Sequence, residues 1–275
     1  MVSEEKEIIG IIAGGGRFPI MAAEAARMQG HPVVAIAFRE EADPELVDSV
    51  DQIVWIHLGQ LGHLIKGLKG HGVKKALMAG TINKRLMFKL TPDFKGLAFI
   101  SKMAIFHDDG ILGSLAVELK KEGIEIISAT SFLPDLVSSP GCITNRRPSK
   151  KEKEDIRFGW KMAKELGRLD IGQCVVVREK TVLALEAMEG TDETILRGGR
   201  LAREKAVVIK VSKPNQDLRF DMPSVGLRTV ENMSKVKASV LALEAGKTLI
   251  FEKSEMIRFA DQAGISIICQ TGYGE

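Results

Sequence analysis

Residues 7–38 read Glu7-Ile-Ile-Gly-Ile-Ile-Ala-Gly-Gly-Gly-Arg-Phe-Pro-Ile-Met-Ala-Ala-Glu-Ala-Ala-Arg-Met-Gln-Gly-His-Pro-Val-Val-Ala-Ile-Ala-Phe38. Residues 7–13 are a short apolar run with the composition of a buried strand. Gly14-Gly15-Gly16 then turns the chain into a helix predicted over 19–29, with Pro19 in its first turn. Gly30-His31-Pro32 ends that helix, and Val33 to Phe38 reads as a second strand. Further strands are predicted over 52–57 and 75–79, separated by the helical spacing of Leu61, Leu64, Ile65 and Leu68. Residues 93–122 read as mostly helical and 124–128 as a last strand. Strands alternating with helices predict parallel βαβ units in a doubly wound α/β sheet.

Residues 133–151 carry Pro134, Pro140, Gly141 and Pro148 beside Arg146, Arg147, Lys150 and Lys151, the composition of a linker. The second half follows a different pattern. A helix over 151–168 precedes strands at 173–178 and 181–187, joined by Glu179-Lys180. Strand-turn-strand signals return at 239–244 and 247–251, before a closing helix and a strand at 266–269. The hexamer Val-Leu-Ala-Leu-Glu-Ala stands at 182–187 and again at 240–245, which suggests two equivalent strands. Hairpins among helices predict an α+β domain with a mixed sheet. The expected division is 1–132, a linker at 133–150, and 151–275.

The 275 residues carry 39 basic and 36 acidic side chains, a net charge of +3, with one Tyr and two Trp. Near-balance and few aromatics argue against a dedicated nucleic-acid binder. Cys142, Cys174 and Cys269 are far apart and form no C-x-x-C, so reduced thiols in a cytosolic protein are expected. The acidic start lacks the basic flank of a signal peptide, and no apolar run approaches the roughly 20 residues of a membrane span. A soluble protein is expected.

Three segments have residues suited to chemistry. In 213–229, Asp217, Arg219 and Asp221 alternate with Leu218 and Phe220 between Pro214 and Pro223. An extended chain would send the three charged groups to one side, where they could hold a divalent cation or a water beside a phosphate. The alternative is a solvated face on which Arg219 neutralises its neighbours. Gly14, Gly15 and Gly16 stand where a strand meets a helix, a place that favours an anion. The turn resembles the start of G-x-G-x-x-G, with Pro19 in the place of the third glycine and Glu40 near a ribose-binding position. A phosphate or sugar contact and a plain tight turn both fit it. Glu186, Glu189 and Asp192 lie where a strand gives way to a helix. Gly190 permits the turn, Thr191 or Asp192 can cap the helix, and three acids there could bind Mg2+. Arg197, Arg200 and Arg203 follow as a basic stripe, and the alternative is a capped, solvated helix. His107-Asp108-Asp109 precedes a helical pattern at 111–120, with Asp109 as its expected N-cap.

Together these segments resemble the LpxI-type UDP-2,3-diacylglucosamine pyrophosphatases of lipid A biosynthesis. The resemblance rests on residues 12–19, 107–109, 186–192, 213–229 and 244–249, in that order along the chain. It implies a Rossmann-like N-terminal domain, a distinct C-terminal α/β domain and substrate bound between them. It further implies Mg2+, or another divalent cation such as Mn2+, and cleavage of UDP-2,3-diacylglucosamine to lipid X (2,3-diacylglucosamine 1-phosphate) and UMP. On this resemblance Asp221, Asp217 and Arg219 are expected to be catalytic, and Asp221, Asp192 and Glu189 to hold the metal. Gly14, Gly15, Gly16, Pro19, Asp109, Gly190 and Thr191 are expected to meet the substrate. A lipid substrate implies transient contact with the inner leaflet by a cytoplasmic, peripherally associated protein, and a homo-oligomer is compatible with this reading. The acyl chains need an apolar lining, for which residues 86–90 and 97–106, with Met103, are candidates and core packing the alternative. Two further functions stay open at this point. One is a nicotinamide-dependent oxidoreductase using the glycine turn, and the other a non-catalytic sugar-nucleotide or lipid-phosphate binder.

Overall fold

The structure is a computed structural model that describes residues 6–82, 90–103 and 108–272. The chain divides into two compact units: Met1–Pro134 with Asp217–Phe220, and Asp135–Gln216 with Asp221–Glu275.

In the first unit the elements run β1 (Ile9–Ala13), α1 (Phe18–Met28), β2 (Val33–Phe38), β3 (Gln52–Ile56), α2 (Leu61–Gly70), β4 (Lys75–Ala79), α3 (Phe94–Met103), α4 (Asp108–Lys121) and β5 (Glu125–Ile126). The five strands form one parallel sheet in the order β3-β2-β1-β4-β5, the expected Rossmann-like arrangement. Both faces of β1 are covered, which explains its unbroken apolar run. Ile9, Ile11 and Ala13 pack with Ile20, Ala23 and Ala26 of α1. Ile12 turns the other way, into a layer with Leu64, Ile65 and Leu68 of α2 and Leu119 of α4. Phe220 packs against this second layer, in keeping with the grouping of Asp217–Phe220 with the first unit.

The second unit contains β6 (Gly141–Cys142), α5 (Lys150–Arg168), β7 (Cys174–Arg178), β8 (Thr181–Leu185), α6 (Thr191–Ala202), β9 (Val207–Lys210), β10 (Ser224–Val225), α7 (Leu227–Lys235), β11 (Val240–Glu244), β12 (Leu249–Ile250), α8 (Lys253–Gln262) and β13 (Ser266–Gln270). Its main sheet is mixed, as expected, in the order β6-β13-β11-β9-β7-β8. The strands β9, β11 and β13 are parallel, while β7, β8 and β6 run antiparallel to their neighbours. One face packs on α5 through Ile156, Trp160 and Ala163, and the other on α6, α7 and α8 through Ile195, Met233 and Met256. A capping box starts α5: Ser149 Oγ accepts from Glu152 N, and the Glu152 carboxylate accepts from Ser149 N.

The structure differs from the sequence expectations at four places. Residues 239–244 and 247–251 do not form a hairpin. Both edges of β11 are taken by β9 and β13, so β12 pairs in parallel with β10 instead. The repeated hexamers are not equivalent strands, because β8 is an antiparallel outer strand and β11 a buried central one. The proline-rich stretch 133–150 is built into the second unit from Asp135 onward. There β6 pairs with β13 and Thr144 Oγ1 accepts from Ile267 N at 2.9 Å. Residues 213–220 are not extended. Gln216 N donates to Lys213 O and Phe220 N to Asp217 O, closing two successive turns. Prolines at 214 and 223 cannot donate to a ladder, which agrees with turns as well as it does with a bracketed strand.

Candidate functional site

The strand order of the first unit reverses between β1 and β4, the switch point at which open α/β sheets place ligands. Gly14, Gly15 and Gly16 leave β1 at that point, but two of their N–H groups are already used. Gly14 N donates to Ala79 O at 2.9 Å, and Gly15 N and Thr81 N exchange bonds with Thr81 O and Gly15 O at 2.8 and 3.0 Å. The glycines permit this interlock. A Cβ on Gly14 would lie 2.6 Å from Thr81 O, and one on Gly80 would lie 2.6 Å from Gly15 O. Gly80 also has φ +93°, which disfavours any other residue. Pro19 is buried in the first turn of α1. Glu40, the candidate ribose acid, is bound to His57 Nδ1 at 2.6 Å and to Leu58 N at 3.3 Å, tying the end of β2 to that of β3. The features behind the nicotinamide reading are thus employed in holding the sheet's ends together.

In the second unit, Gly190 with φ +82° precedes α6. The helix is capped neither by Thr191 nor by Asp192 but starts from Gly190, with Thr191 as its first residue. The Thr191 hydroxyl donates to Glu186 Oε1 at 2.7 Å, and Gln173 N donates to Glu186 Oε2 at 3.2 Å. Glu186 is therefore a buried structural acceptor. Glu189 meets Arg197 at 2.6 Å, and Asp192 meets Arg228 at 2.9 Å. The Glu189 carboxyl is held below its usual range by its own backbone N–H and by the Arg197 guanidinium.

Asp217 and Arg219 form a two-pronged pair, with Nε to Oδ1 at 2.9 Å and Nη2 to Oδ2 at 2.6 Å. Arg219 N also reaches Asp217 Oδ1 at 3.1 Å. The Arg219 hydrogen bond is the main cause that lowers the Asp217 pKa. Asp221 is placed differently. Its Oδ2 accepts from Gln216 Nε2 at 2.7 Å, while Gln216 Oε1 accepts from Lys213 N at 2.9 Å. The turns thus break the alternation that would have sent Asp217, Arg219 and Asp221 to one side. Asp217 and Arg219 fall in the first unit and Asp221 in the second.

Among the described residues, no three His, Cys, Asp or Glu side chains gather as a metal site requires. The helix α4 begins at Asp108, which sets Asp109 inside its first turn rather than at the cap. The Asp109 side chain, His107 and residues 83–89 lie outside the described residues, so most of the 86–90 candidate lining does too.

One ionic cluster escaped the sequence reading. Glu244, 3% exposed at the carboxyl end of β11, accepts from Lys164 Nζ at 2.6 Å, Lys247 Nζ at 2.9 Å, and Ser212 N and Oγ at 2.9 and 2.8 Å. Burial alone would raise its pKa, but the hydrogen bonds from Lys164, Lys247 and Ser212 outweigh it and keep the carboxyl below its usual range. A glutamate closing an all-apolar strand was the available signal.

Fold and site together define a two-unit α/β protein, one unit a Rossmann-like sheet and the other a mixed sheet with acidic and basic side chains around its strand ends. The model of the LpxI N-terminal domain matches residues 8–136, and that of the LpxI C-terminal domain matches 139–268. The chain belongs to the LpxI family. It is 31% identical over 271 residues to the protein of Caulobacter vibrioides named UDP-2,3-diacylglucosamine pyrophosphatase LpxI, covering 94% of this chain and 96% of that relative. Among solved structures it is similar to the biotin carboxylase subunit of pyruvate carboxylase (15% identity, TM-score 0.27, covering 66% of this chain and 38% of that one). It is also similar to phosphoribosylglycinamide synthetase from Anaerococcus prevotii (16% identity, TM-score 0.27, covering 69% and 40%). The chain thus spans only about two-fifths of the length of these solved chains.

Proposed function

We propose that this protein hydrolyses the pyrophosphate bond of UDP-2,3-diacylglucosamine, giving lipid X and UMP, within lipid A biosynthesis. The observation that carries the reading is the family match through both halves of the chain, with a relative of that name aligned over nearly its whole length. The proposal keeps the finer expectation that substrate binds between the two domains. It also keeps transient contact with the inner leaflet, where a diacylated substrate resides. Among the described residues, no helix is long and apolar enough to cross a membrane.

A pyrophosphate diester resists hydrolysis because its oxygens repel an incoming hydroxide. A group that takes a proton from water, and a cation that offsets phosphate charge, lower that barrier. We assign proton acceptance to Asp221, whose described partner is a neutral amide rather than a cation. We assign charge compensation to Arg219 through Nη1, which its pair with Asp217 does not use. Dependence on Mg2+ or Mn2+ is proposed from the resemblance alone. Mg2+ requires several oxygen ligands in near-octahedral array. Asp217, Glu189 and Asp192 are instead neutralised by Arg219, Arg197 and Arg228. The described donors do not fit a resident ion, and no step here runs through one.

The test is release of UMP and lipid X from UDP-2,3-diacylglucosamine by the purified protein, with and without EDTA. Stoichiometric release of both products is expected. Intact substrate after prolonged incubation with Mg2+ would refute the activity, and undiminished release in EDTA would refute only the cation dependence.

A further inference from the structure

We propose that Gln216 is a positioning residue, one that fixes the Asp221 carboxylate for the hydrolysis; the inference rests on the role given to Asp221 above. A glutamine amide has one accepting and one donating end. Gln216 Oε1 accepts from Lys213 N at 2.9 Å, which commits Nε2 to Asp221 Oδ2 at 2.7 Å. The opposite orientation would set Oε1 against a carboxylate and Nε2 against an N–H, so the hydrogen bonds admit a single assignment. Lys213 is itself anchored, with Nζ on Asp170 Oδ1 at 2.5 Å and its backbone close against Gly167 of α5. The order of support runs from α5 through Lys213 and Gln216 to Asp221, all within the second unit.

The contrast with Asp217 explains what this support achieves. Both oxygens of Asp217 are taken by Arg219, which fixes that carboxylate and cancels its charge. Gln216 holds Asp221 by one oxygen, Oδ2, and adds no charge, so the carboxylate is oriented without being neutralised. An aspartate that follows two turns, outside any helix or strand, lacks a rigid element to orient it. A neighbour that does so acts on geometry, and misplacing a reacting group by about 1 Å costs roughly 100-fold in rate.

The substitution Gln216→Glu separates this role from a merely structural one. A glutamate keeps the acceptor for Lys213 N and therefore the turn, but replaces the donor facing Asp221 with a second carboxylate. Steady-state UMP release and thermal unfolding are measured for wild type, Gln216→Glu and Gln216→Ala. The expected result is a kcat lowered about 100-fold in Gln216→Glu and at least about 10-fold in Gln216→Ala. KM stays within about threefold and Tm within about 2 °C of wild type. Wild-type kcat in Gln216→Glu would overturn the inference while leaving the proposed activity standing. Loss of kcat that tracks a fall in Tm in both variants would also overturn it, since Gln216 would then be holding the turn and not the carboxylate. A wild-type protein that releases no UMP overturns the inference and the proposed function together.

Discussion

Two glutamates in identical hexamers illustrate what surroundings do to a residue. Glu186 is buried but serves as an acceptor for a backbone N–H and a threonine hydroxyl. Glu244 is buried against two lysines and a serine. Replacing Glu244 by Gln leaves Lys164 facing a neutral partner, and urea unfolding should show a loss of about 3 kcal/mol. The pH dependence has a definite sign. The folded carboxyl titrates below the ordinary Glu range, so its contribution is complete above that range and disappears as pH falls through the lowered value. The gap in urea midpoint between wild type and Glu244→Gln should therefore be constant near neutrality and close on acidification. At the proposed site, Asp221→Ala should bring UMP release down by several orders of magnitude with the thermal transition unchanged. Asp221 was legible in the sequence as a candidate, but its partner was not. Gln216 is a polar residue on a turn, and nothing in its spacing announces which carboxylate its amide will face.

At the level of elements, the repeated hexamer enters an outer strand, β8, at one place and a central strand, β11, at the other. Leu185 is 42% exposed and its counterpart Leu243 is 0% exposed. Leu243→Ala should cost about 2–5 kcal/mol by loss of transfer energy and creation of a cavity, whereas Leu185→Ala should cost about 0.5 kcal/mol or less. Equal losses in denaturant unfolding would contradict the assigned strand positions. The interlock at the end of β1 makes a second prediction. Gly80→Ala combines an unfavourable φ with a Cβ 2.6 Å from Gly15 O, and should destabilise by more than about 1 kcal/mol. The βαβ pattern of the first half was readable because a sheet covered on both faces leaves continuous apolar runs. The hairpin expected at 239–251 was not, because the choice of partner for β12 depends on which edges remain open.

For the whole molecule, each unit carries its own sheet with an apolar layer on either face. Units with their own cores open as separate cooperative blocks. In hydrogen exchange, Gly80→Ala should speed amide exchange in β1 and β4, and Glu244→Gln in β9, β11 and β13. Each should leave the strands of the other unit near wild-type rates. Sequence alone determined the alternation of strands and helices, the division into two halves of different character, and the motifs by which the family is recognised. Those are properties of local periodicity and residue order. The tertiary structure decided which strands are neighbours, which acids are cancelled by arginine, and that residues 213–220 turn instead of extending. Partner choice between groups far apart in the chain is set by the energy of the packed whole, and no local pattern records it.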